Sequence, residues 1–137
     1  MTAWTINDIE RAIRSSWGAD TCAPEDQAQW RPEHPAHGQC RATALVVHDL
    51  LGGELLMGEV SVGGVRTDLH WWNRSAAGTE IDMTRSRFGP DELVGPGRPV
   101  ARPQRPGRLQ AQYQLLRRRV LARLEAGSVD GRHAAAA

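Results

Sequence analysis

At 137 residues the chain suits one domain with a single core and is too short for two. Its 17 basic residues, every one an arginine, nearly cancel 16 acidic ones, so polyanion binding is not the expected role and no nucleic-acid partner is expected. The longest apolar run, "TALVV", ends at His48 and Asp49, far short of the roughly 20 residues of a membrane span, so no membrane partner is expected.

The N-terminal segment "TINDIERAI" carries acidic residues where a secretory signal has a basic segment and an apolar core. A cytoplasmic location is therefore expected, with Cys22 and Cys40 reduced. Thr5 is placed to cap a first helix, whose apolar stripe is Ile6, Ile9, Ile13 and Trp17. Residues 20 to 38 contain Pro24, Pro32, Pro35 and Gly38, which predicts an ordered loop that delivers the chain to Cys40. From there "CRATALVVHDLLGG" reads as a central, buried helix stopped by Gly52 and Gly53.

Strands follow at "ELLMGEVSV", "VRTDLHWWN" and "TEIDMT", forming an antiparallel sheet against that helix. Residues 89–108, rich in proline and glycine, predict a surface linker without regular structure. A last helix over 109–126 presents Leu109, Tyr113, Leu116, Val120 and Leu124 to the core and spreads Arg117, Arg118, Arg119 and Arg123 over a solvated face. Residues 127–137 read as a frayed tail, which leaves a single α+β domain over 1–126.

Cys40 opens the central helix, where unpaired backbone N–H groups favour a thiolate. A helix end contributes about 0.3 to 1 kcal/mol. Moving a thiol from a pKa of about 8.5 to about 6.5 requires roughly 2.7 kcal/mol, so a second positive partner is needed. Geometry separates the candidate histidines. His48, eight residues along the same helix, lies about 12 Å away by axial rise. His34 and His37 ride on the loop, whereas His70 sits on a strand, a rigid mount for a base.

A five-residue hairpin loop over 74–78 pairs Asn73 with Thr79 and puts His70 directly opposite Asp82, with Cβ atoms about 5 Å apart. An even loop sends Asp82 to the other face. With an odd one, Asp82 can hold the imidazole N–H and leave the second nitrogen to Cys40. Asp68 shares the face of His70 and replaces Asp82 if the register slips by two. Gln39 and the Cys40 N–H are candidate oxyanion donors, and Trp72, on the face of His70, a shield or substrate wall. Arg41 and Thr43, beside the cysteine, are candidates to hold a substrate carboxylate or to cap the helix.

These residues predict acyl transfer through a Cys40 thioester to water or an amine, on a small-molecule or peptide acyl substrate, with no cofactor. Two other readings compete. One is a non-catalytic binding protein with an inert thiol. The other is a zinc module built from Cys22, His34, His37 and Cys40, four ligand types in a spacing unlike a familiar zinc finger.

The blocks "GQCRATA", "HWWN" and "EIDMT" resemble those of transglutaminase-like and papain-like thiol enzymes, with cysteine at a helix start and histidine and aspartate on successive strands. More closely, "WGADTC", "GQCRATALVVHDLLGGE", "HWWN" and "IDMTRSRF" together resemble the small bacterial YunG family over most of residues 17 to 88. The resemblance implies a papain-like or transglutaminase-like fold and carries over to Cys40, His70 and Asp82, with Gln39 as oxyanion donor.

Overall fold

Thr5 caps the first helix reciprocally: its hydroxyl accepts the Asp8 N–H and the Asp8 carboxylate accepts the Thr5 N–H, both at 3.0 Å. The computed structural model describes residues 4–104 and 107–136, with side chains as far as 127. Helix α1, Ile6–Ser16, buries Ile9, Ala12, Ile13 and Ser16, and Trp17 follows them inward. Ile6, the first member of the predicted stripe, stays exposed because it lies a turn short of the core.

Helix α2, Cys40–Leu51, is central. Residues Ala42 to Val47 are all buried. Ala42, Val46 and Val47 pack with Ile9 and Ile13 of α1 and with Leu116 and Val120, whereas Ala44 and Leu45 pack with Leu55 of the sheet. A helix covered on both sides has no use for polar residues there, which is why its sequence lacks a polar face. It ends where the Gly52 N–H reaches the His48 carbonyl at 2.9 Å.

The sheet is antiparallel, with β1, Glu54–Val62, paired to β2, Val65–Arg74. Strand β3, Glu80–Ile81, extends it beyond β2. The stretch predicted as a structureless linker supplies two more short strands, β4, Leu93–Val94, and β5, Arg98–Val100, both paired with β1. Pro99 is tolerated because β5 is short and lies at the margin of the sheet, where a missing donor costs little. Gly97 is required there, since a Cβ on it would stand 2.4 Å from the Trp72 ring.

Helix α3, Gln110–Ala136, lays Leu116, Val120 and Leu124 on α1 and α2, and Leu109 just before it is also buried. Its backbone continues past the predicted start of the frayed tail. The side chains of 128–137 lie outside the described residues. The architecture is α+β, as expected, with α2 between the other helices and a five-stranded sheet.

Candidate functional site

Three elements meet at the start of α2. Cys40 is its first residue and is half-buried; His70 comes from the middle of β2 and is fully buried; Asp82 follows β3 directly. The hairpin loop has the predicted odd length of five but runs over 75–79, so that Asn73 pairs with Ile81 and not Thr79. Ser75 sets this register: its N–H reaches the Thr79 carbonyl at 2.8 Å and its hydroxyl accepts the Thr79 N–H at 3.1 Å. A shift of two residues preserves facing, and Asp82 still reaches His70.

His70 Nε2–H donates to Asp82 Oδ2 at 2.7 Å. An ionised carboxylate only accepts, so a neutral ring carries its proton on Nε2 and keeps a lone pair on Nδ1. Nδ1 is buried without a hydrogen-bond partner, and the Cys40 thiol is near enough to bear on the charge of the ring. Burial opposes the charged ring, but the Asp82 hydrogen bond, the Cys40 thiol and the charges of both hold His70 above its ordinary pKa. For Asp82, burial pushes upward and is outweighed by the bond and charge of His70, by Arg85 and by the Thr84 N–H, so its carboxyl is held low.

Asp82 is more fully engaged than expected. Oδ2 also forms an ion pair with Arg85, whose Nε lies at 2.7 Å, and Oδ1 accepts from the Thr84 N–H at 3.2 Å. The aspartate–threonine spacing of "IDMT", two residues apart, carried a readable signal for this local turn. Asp68 is not the orienter; exposed, it pairs with Arg87 at 3.1 Å.

The imidazole is enclosed on two sides, by Trp72 stacked at 5.3 Å and by Phe88 edge-on at 4.7 Å between ring centres. Trp72 is 2% exposed and donates its indole N–H to Glu80 at 2.5 Å. It therefore shields the ring and does not serve as a substrate wall. The aromatic ring that lines a cleft is instead that of Trp71, with Arg41 over it at 4.9 Å; the cleft, of about 200 Å³, also includes Cys40, Leu69 and Arg87.

Two predicted site residues are structural instead. Gln39 is fully buried, its carbonyl accepting from Thr21 Oγ1 at 2.8 Å and its amide donating to the Gly18 carbonyl at 2.9 Å. Its side chain braces the helix start and does not face a substrate. Thr43 is also buried and accepts the Trp17 indole N–H at 2.9 Å, so it neither caps the helix nor meets a ligand. The "WGADTC" block is thereby explained, because Trp17, Gly18 and Thr21 fasten residues 39 and 43, and Asp20 anchors the turn to Arg119 of α3 at 2.9 Å. On the other side, buried Asn73 donates to the Ala44 carbonyl at 2.9 Å and fixes β2 to α2.

The zinc set does not assemble. Cys22 is buried with its thiol donating to the His37 carbonyl at 3.3 Å, and His34 is exposed. No group of three or more His, Cys, Asp or Glu with metal-holding geometry occurs among the described residues. Among them there is also no helix long and apolar enough to cross a membrane.

A small α+β domain thus brings a helix-borne cysteine to a buried histidine–aspartate pair. The family model described as YunG protein matches residues 5–125, and the chain belongs to that family. No curated protein and no solved structure matches it significantly.

Proposed function

We propose that this YunG-family protein is a thiol-dependent acyl-transfer enzyme of papain-like or transglutaminase-like type. The supporting observation is a fully buried imidazole whose Nε2 is tied to Asp82 while the Cys40 thiol bears on the same ring. Nδ1 accepts the Cys40 proton, and the thiolate adds to an amide, ester or thioester carbonyl. The carbonyl electron pair moves onto oxygen, which is met by the Cys40 N–H and the neighbouring free N–H groups of the first turn of α2.

The imidazolium returns its proton to the departing amine, alcohol or thiol as the tetrahedral adduct collapses to a Cys40 thioester. Water or an amine, deprotonated by His70, then attacks that thioester and releases Cys40. Asp82 holds the tautomer, and Trp72 with Phe88 keeps water from the ion pair. The scheme uses no cofactor. A cleft of about 200 Å³ suits a small acyl group, and two free cysteines suit a cytoplasmic setting.

Incubating the full chain with a panel of nitrophenyl esters and alkyl thioesters, followed by mass spectrometry, tests the proposal. The expected result is an acyl mass on Cys40 that turns over in the wild type and fails to form in His70→Asn. An unmodified Cys40 across the panel, in folded protein, assigns the chain instead to the non-catalytic binding reading.

A further inference from the structure

Next to the Cys40 cleft is a larger hollow of about 510 Å³, whose charged walls are Arg14, Arg31, Glu33, His34, His37 and Arg87. Arg87 lines both spaces, so they share a wall. The volume falls within the roughly 300 to 1,000 Å³ of sites that take small molecules. Its charge is one-sided, with three guanidinium groups against one carboxylate.

Two inner nitrogens lack partners. The Arg87 side chain is only 11% exposed, and one of its terminal nitrogens meets Asp68 at 3.1 Å, yet its Nε is buried without an acceptor. His37 Nε2 is likewise buried without a hydrogen-bond partner, with Asp26 Oδ1 3.7 Å away. Buried polar atoms left unmet are costly, and two on one hollow require an explanation. At the rim, Arg31 is exposed and has no ion pair among the described residues, while Arg14 meets Glu10 only at 3.8 Å. An oxyanion answers both the orphaned Arg87 Nε–H and the surplus charge, and His37 Nε2 meets it when protonated; a cation would be repelled by three arginines.

We infer that this hollow is a binding site for a small molecule bearing a carboxylate or phosphate group, received by Arg87 Nε and His37 Nε2 with Arg31 and Arg14 at its entrance. Arg87 would hold such a molecule adjacent to Cys40, but binding requires no turnover and is separate from the acyl-transfer reading.

Titration calorimetry of the full chain with inorganic phosphate, glutarate and uncharged glutaramide tests the inference. Saturable binding of phosphate or glutarate is expected, with none of glutaramide, and the preferred anion tells phosphate from carboxylate. Arg87→Gln should weaken that binding about tenfold and the exposed Arg31→Gln about threefold, with affinity falling as sodium chloride rises. Absence of saturable binding by both anions overturns the site, as does binding that Arg87→Gln and Arg31→Gln leave unchanged. Should Arg87→Gln fail to fold by circular dichroism, the double variant Arg14→Gln with Arg31→Gln decides, and wild-type affinity in it overturns the site.

Discussion

The two cysteines stand on either side of the turn that leads into α2, and their surroundings differ. Cys22 is buried, and the carboxylates of Asp26 and Glu25 add to the effect of burial, pushing its thiol up to about 11. Gly38, at φ +70°, packs so closely that a Cβ would stand 2.3 Å from the Cys22 sulfur. Cys40 is half-buried at a helix start, against an imidazole held above its ordinary pKa. The difference teaches that residue type says little about a thiol and that neighbouring charge says nearly everything.

The largest test removes the sulfur. Cys40→Ala should abolish acyl labelling, measured by mass spectrometry of the intact chain, because the other thiol, Cys22, is buried and pushed up to about 11. His70→Asn comes next, with alkylation below pH 8 expected to slow about 100-fold, the lower range for a lost general base. A stopped assay across pH measures it.

Asp82→Asn sharpens the comparison through stability. His70 has a raised folded pKa, so its contribution is complete below its ordinary value of 6.5 and is lost as pH climbs through the raised value. Asp82 has a lowered one, so its contribution is complete above 3.8 and is lost as pH falls through the lowered value. Urea unfolding of wild type and Asp82→Asn should therefore differ most between pH 3.8 and 6.5, by about 1.5 to 3 kcal/mol, and the difference should narrow on either side. Cys22→Ala should have the smallest effect, about 1 kcal/mol in the same assay, with the alkylation profile of Cys40 as in wild type.

What the sequence made legible follows the strength of local signals. Helix α2 begins at Cys40 and β1 spans Glu54–Val62 as predicted, because glycine stops and alternation mark both. The parity linking His70 and Asp82 was readable, since it depends only on an odd loop, but the register was not, since Ser75 and Thr79 close the turn through their own hydrogen bonds. Strands β4 and β5 were hidden by proline and glycine; of these, Gly97 is there to admit the Trp72 ring. Gln39 and Thr43 were misassigned because adjacency to a nucleophile in sequence carries no direction, and both side chains turn toward the 17–21 segment.

The central claim is that the Cys40 sulfur owes its reactivity to the ring mounted on β2. The most direct test is the rate of iodoacetamide alkylation at Cys40 against pH, with the modified residue located by mass spectrometry, in wild type and His70→Asn. Reaction that is already fast well below the ordinary thiol pKa of about 8.5, and that loses this low-pH limb in the variant, is the predicted result. A single rise near 8.5, identical in both proteins, would contradict it.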